Sequence, residues 1–247
     1  MDAETMSFLR TVTEVFDTPA PVVEIGSFQI EQGVFGDLRP HYPKPYIGLD
    51  AAVGPGVDLV GNVHCLPLGD MKAGTIVTAA TLEHVAKPIV AVDEMCRALR
   101  PSGVLIMTSV FCFPIHAYPS DYWRFTPECF NMLMQSFRHR IICALGRPRS
   151  PIWVMGIGFK TDDDEDPIIY ESRSSQLHEA YLQKLAELVA VSAKTRFIGT
   201  AMRQPILRRF RTPTLADMGL AVRRGMELST AVYHANSKSR ELRKRIA

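Results

Sequence analysis

The chain has 247 residues, 47% of them hydrophobic and 22% charged, with a formal net charge of +2 at pH 7. That length and balance suit one large domain, or a domain with an appendage, and exclude a disordered or collagen-like chain. So small a net charge argues against nucleic acid as a general partner, and no apolar run approaches the ~20 residues a membrane span needs.

The N-terminal "MDAETMSFLRTVTEVF" carries Phe8, Leu9, Val12, Val15 and Phe16 at helical spacing behind acidic residues. It reads as an amphipathic helix and not as a signal peptide. From "PVVEIGS" onward, short β-branched runs predict strands over 22–25, 46–50, 57–60, 75–79, 104–110, 141–145 and 152–159. Between the fourth and fifth lies "KPIVAVDEMCRALRPSG", with Pro88 suited to a first turn, an apolar stripe of Val92, Met95, Cys96 and Leu99, and a stop at Arg100, Pro101 and Gly103. Strand and helix alternating in this way predict an α/β fold: a Rossmann-like, mainly parallel seven-stranded sheet with helices on both faces. The acidic "TDDDEDP" from Thr161 marks a change of character. Residues 1–160 are expected to form the sheet domain, and 161–247 a helical C-terminal extension acting as a cap or an oligomerisation element, the latter giving a homodimer. The five cysteines, Cys65, Cys96, Cys112, Cys129 and Cys143, form no C-x-x-C pair. Reduced thiols in a cytoplasmic protein are expected, with no structural zinc and no metal site.

Open α/β sheets bind ligands beyond the carboxyl ends of their strands, so the residues just after each strand matter most. The first strand ends in a turn with Gly26 and Ser27, where a glycine lets the backbone approach a ligand. The second, "YIGLD", ends in Asp50, placed to accept both hydroxyls of a ribose. Phe28 and Gln29 stand where a pyrophosphate would demand small residues, so a nucleoside is expected and a dinucleotide is not.

The succession "VVEIGS", "YIGLD", "GNVHCLPL", "TLEHVAKPIVAVDEMCRALRPSGVLIMTSV" and "FPIHAYPSDYWRFTPE" resembles a class I S-adenosylmethionine-dependent methyltransferase of the small-molecule group, over roughly residues 22–159. The resemblance implies S-adenosylmethionine as cofactor. It places Glu24, Gly26 and Ser27 under the methionine portion, Asp50 at the ribose, Asn62, Val63 and His64 at the adenine, and Thr81 and Leu82 beside the reacting sulfur. The chain departs from the family at Phe28, where a glycine is usual, at Asn62, where an acid is usual, and in "MKAGTIV", which lacks the Asp common before the fourth strand. Local roles compete: Asp50 could cap the segment after it, and Glu83 and His84 suit turn or cap bonds.

The stretch "FPIHAYPSDYWRFTPE" follows the fifth strand on the ligand side. His116 is the candidate general base, since an ordinary imidazole titrates near neutrality, and Asp121 either orients it or serves as base. Tyr118 and Tyr122 are candidate pocket walls, and Arg124 a candidate for an anionic group or for pairing with Asp121. Trp123 and Phe125 suit packing, while Thr126 and Pro127 read as N-cap and first residue of the next helix. The expected reaction is methyl transfer to a small-molecule or saccharide acceptor, with oxygen favoured. Two alternatives stay open: an RNA methyltransferase using the basic "LRRFRTP" and "SRELRKRI", and a binding protein that keeps the fold without turnover.

Overall fold

The computed structural model describes residues 3–29, 37–116, 119–147 and 149–161, with short pieces at 175–177, 179–180, 183–184 and 233–234. Helix α1 (Ala3–Val15) leads into β1 (Val22–Ile25), β2 (Tyr46–Asp50), β3 (Leu59–Val60) and β4 (Ala73–Ala79). Then come α2 (Pro88–Ala98), β5 (Leu99–Val110), α3 (Pro127–Leu133), β6 (His139–Arg147), β7 (Ser150–Lys160) and β8 (Tyr233–His234). The sheet order is β3-β2-β1-β4-β5-β7-β6-β8. Strands β1 to β5 pair in parallel, and β7 runs antiparallel between β5 and β6. The seven strands expected from sequence are all present, and β8 adds a two-residue rung at the β6 edge.

Side chains alternate across the sheet, so each central strand feeds two cores. Val23, Ile25, Leu105 and Met107 pack with Val92 and Met95 of α2 and Phe130 of α3 on one face. Val22, Val104, Ile106 and Ile157 pack with Phe8, Leu9 and Val12 of α1 on the other. Burying both faces explains why β1 is apolar at three of four positions and why residues 103–110 of β5 are buried without interruption. The exception in β1, Glu24, sits 7% exposed.

Five of the seven strands differ in their bounds from the sequence expectation: β4, β6 and β7 are longer by one or two residues at one or both ends, and β3 and β5 depart most. β3 keeps only two residues because the chain before it is tied elsewhere: Val57 N donates to Gly54 O in a turn, and the Asp58 carboxylate takes Gly48 N at 2.8 Å and Arg39 at 2.8 Å. β5 starts five residues early, since Leu99 already pairs with Ala73 before an irregularity between Ala73 and Thr75. The N-cap reading holds at α3, where Thr126 Oγ1 accepts from Cys129 N at 3.0 Å and Pro127 opens the helix. Most of 161–247 lies outside the described residues. Within it, Leu177 is buried on the α1 face and Lys184 pairs with Glu14.

Candidate active site

The strand order reverses between β1 and β4, and a crevice at such a switch point is where sheets of this kind take ligands. Gly26 turns there with φ +82°, and a Cβ on it would lie 2.1 Å from Thr81 Oγ1. Both the backbone angle and the space require glycine. Thr81, just past β4, donates its hydroxyl to Ala79 O at 3.1 Å, and Ile25 O lies 3.3 Å away, so the turns after β1 and β4 meet at one threonine. Ala80, immediately before it, has φ +50°, an uncommon angle for a residue with a Cβ.

Asp50 joins the turns after β1 and β2. One carboxylate oxygen accepts Phe28 N at 3.1 Å and the other Ala52 N at 3.1 Å. Each oxygen thus keeps further acceptor capacity, and the residue is half-buried. The bulk of Phe28 is accommodated at Gly54, where an added Cβ would fall 2.1 Å from the ring. Ser27 is buried, its backbone N donates to Leu49 O at 3.2 Å, and its hydroxyl lies over Gly48 without a protein partner among the described residues. Glu24 accepts the Tyr46 hydroxyl at 2.7 Å. Burial pushes its carboxyl up to about 7, outweighing the opposing effects of that bond and of Arg39.

At the position expected to meet adenine, Asn62 Oδ1 accepts both His64 N and His64 Nδ1 at 2.9 Å. His64 Nε2 in turn lies 3.3 Å from Lys87 N, tying this loop to the start of α2. Val63 packs against the α2-side core. Leu82 is fully buried in that core, so its side chain supports the turn from below.

The loop after β5 is stitched onto the loop after β4. Tyr122 N and Trp123 N donate to Glu83 O at 2.8 and 3.3 Å, and Trp123 Nε1 donates to Val85 O at 2.9 Å. Trp123 is 42% exposed, so it is anchored through its indole N–H more than by enclosure. The Asp121 side chain is 3% exposed and forms a two-pronged pair with Arg124, at 2.5 and 2.7 Å, while accepting His116 N at 2.8 Å. The Arg124 guanidinium holds the Asp121 carboxyl well below the usual carboxylate range. The remaining Arg124 donors go to Phe113 O, Pro114 O and Trp123 O. All five of its N–H groups are therefore engaged inside the loop. Of the two pairings expected for Arg124, the one with Asp121 is present. Tyr122 is 54% exposed, and Tyr118 lies outside the described residues.

The sequence left local turn bonds and chemistry both open for Glu83 and His84, and the turn is present, with His84 N donating to Thr81 O at 2.9 Å. Beyond it, Glu83 is fully buried and its carboxylate accepts the Ser109 hydroxyl of β5 at 2.5 Å. His84 lies edge-on to His116 with ring centroids 4.7 Å apart. The signal was present in "LEH" directly after a strand end, but nothing local foretells that the loop after β5 folds back over it.

Comparison with known proteins agrees with this geometry: residues 47–107, from β2 into β5, match the family model "Methyltransferase domain". Over these residues the chain resembles a methyltransferase domain. A comparison with curated proteins found no match. Among solved structures, the chain is similar to a Thermotoga maritima protein described as a SAM-dependent methyltransferase and possible histamine N-methyltransferase. The identity is 21% and the TM-score 0.48, covering 64% of this chain and 89% of that one. It is also similar to a Burkholderia thailandensis 1,6-didemethyltoxoflavin-N1-methyltransferase with bound S-adenosylhomocysteine, at 17% identity and TM-score 0.49, covering 65% of this chain and 79% of that one. Likenesses of this size carry nothing about the acceptor.

Of the residues expected to meet a cofactor, Asp50 fits best, since it offers partly exposed oxygens with acceptor capacity to spare, while the space a side chain at Gly26 would need is filled by Thr81. The fit expected of Asn62 is less marked, because its amide oxygen is already taken by His64.

Proposed function

We propose that this enzyme transfers a methyl group from S-adenosylmethionine to a small-molecule or saccharide acceptor, at oxygen. The observation that carries the reading is Asp50 at the end of β2, bonded to the turn after β1 at the switch point and lying inside the matched segment. The sulfonium supplies an activated methyl group, so the protein's work is to hold the acceptor close, in line and shielded from water. Asp50 would hold the ribose hydroxyls, and Glu24 and the Gly26–Ser27 turn the methionine end. Val63 and the Asn62 and His64 backbone would border the base, and Thr81 the reacting centre.

The oxygen preference rests on His116. Its Nδ1 lies 3.1 Å from Pro114 O and 3.2 Å from Asp121 Oδ2, both acceptors, so Nδ1 carries the proton and Nε2 presents a lone pair. Asp121, clamped by Arg124, orients this ring and is itself too strongly ionised to take a proton efficiently. Tyr122 and Tyr118 are proposed as walls of the acceptor pocket, and Arg124 as the brace that shapes it. Incubating the protein with labelled S-adenosylmethionine and fractionated extract, then identifying the product, tests the reading. Label in a small molecule or glycan supports it, and label confined to RNA contradicts it. His116→Ala is expected to lower turnover by roughly 10²–10⁴-fold while changing cofactor affinity little. Unchanged turnover removes His116 from the reaction.

A further inference from the structure

We propose that Glu83, His84 and His116 form a binding site for a divalent first-row transition-metal ion, beside the acceptor side of the cofactor crevice. One ligand-capable atom from each of the three lies within 4.8 Å of the other two. An ion centred among atoms that far apart would sit ~2.8 Å from each, against metal–ligand bonds of ~2.0–2.2 Å. Closing by well under 1 Å per side chain forms the site, a movement within reach of small χ adjustments.

The proton positions favour a cation. His84 Nδ1 lies 2.7 Å from Ser120 O, and a carbonyl can only accept, so that nitrogen carries the proton. His116 Nδ1 faces Pro114 O and Asp121 Oδ2 and is protonated for the same reason. With Nδ1 the donor in both rings, Nε2 is the atom of each that can bind a metal ion. Glu83 is fully buried. Its Oε2 accepts from Ser109, and its Oε1 has no hydrogen-bond partner among the described residues. The Arg124 guanidinium is near enough to act on Glu83 electrostatically but gives Oε1 no hydrogen bond, and an orphaned buried acceptor is costly. A metal ion supplies what all three groups lack. The supporting shell is also that of a metal site: each histidine gives its other nitrogen to a carbonyl or carboxylate, and the glutamate takes a serine hydroxyl.

Two imidazoles and one carboxylate select zinc, cobalt, iron or manganese over calcium or magnesium, which prefer all-oxygen sets. Three protein ligands leave positions open, the arrangement of a reactive and not a purely structural site. The ligands begin two residues after Thr81, which touches the Gly26 turn. Resting on the methyltransferase reading, an acceptor hydroxyl at an open position would ionise more readily, losing its proton to water. Its oxygen would then form the bond to the methyl carbon while the carbon–sulfur pair returns to sulfur. With the ion in place, His116 activates the acceptor as a ligand and not as a base. This departs from the sequence expectation of no metal.

The test is titration of the EDTA-stripped full-length protein with cobalt(II), read by its visible absorption, with zinc as competitor. One equivalent is expected to bind with the absorption of a four- or five-coordinate site and to be displaced by zinc. His84→Ala and His116→Ala are each expected to weaken binding at least roughly tenfold, with metal-free thermal unfolding close to wild type. Glu83→Gln should do the same, and if it fails to fold the histidine variants decide. No uptake by the wild type at millimolar cobalt, or wild-type affinity in both histidine variants, overturns the proposal. S-adenosylmethionine titrated into the same samples separates the two readings: cobalt binding without cofactor binding leaves the metal site standing and removes its proposed use.

Discussion

At the scale of single residues, Glu24 is the most exposed to a pH test. Its folded pKa stands at about 7 against 4.5 for the ordinary group, raised first by burial. The folded state therefore holds a proton that the unfolded chain releases. The stability contributed by protonated Glu24 is complete below about pH 4.5 and is lost as pH rises to about 7, on the order of 3 kcal/mol. Glu24→Gln should flatten this part of the stability–pH curve measured by denaturant unfolding, and an unchanged curve would contradict the assignment. If Glu24 must be ionised to meet the cofactor's ammonium, affinity in the wild type rises roughly tenfold between about pH 5.5 and 7. Gly26→Ala should cost about 1–3 kcal/mol and weaken cofactor binding, because it forces φ +82° on a residue with a Cβ that meets Thr81 at 2.1 Å. Wild-type unfolding and affinity in that variant would show that the turn tolerates a side chain. Gly26 and Asp50 were legible in the sequence because a turn glycine and a strand-end acid have local signatures. Glu83 was not, because its burial and its bond to Ser109 depend on β5 lying beside β4, twenty-six residues further on.

At the scale of elements, the two loops after β4 and β5 behave as one unit. The second crosses back to give Tyr122 N, Trp123 N and Trp123 Nε1 to the first, and Phe125 N returns to Val110 O. Periodicity located both loops by locating the strands before them. It could not reveal that Asp121 and Arg124 clamp the loop from within, since an arginine beside an aspartate in sequence is as compatible with an open anion site. Thr126 could be read correctly because capping is local: its hydroxyl, Cys129 N and Pro127 lie within four residues. Thr126→Ala should destabilise the protein by about 1 kcal/mol in denaturant unfolding, and no loss would mean the cap is redundant. Ala80 makes the opposite prediction. Replacing it by Gly at φ +50° should stabilise by up to about 1 kcal/mol, and destabilisation would show that this backbone angle carries no strain.

At the scale of the whole molecule, the sheet order was legible as a class because alternating strands and helices leave few ways to build a parallel sheet. The antiparallel β6–β7 pair was found as two strands, but their insertion order beside β5 rests on long-range pairing that no local pattern encodes. The arrangement sets a cofactor crevice at the β1, β2 and β4 ends against a histidine- and carboxylate-lined site at the β4 and β5 ends. If this crevice holds S-adenosylmethionine, isothermal titration calorimetry of the full chain with S-adenosylmethionine should give saturable one-to-one binding that Asp50→Ala weakens by at least roughly tenfold, whereas no binding at millimolar cofactor, or binding indifferent to Asp50, would contradict that role.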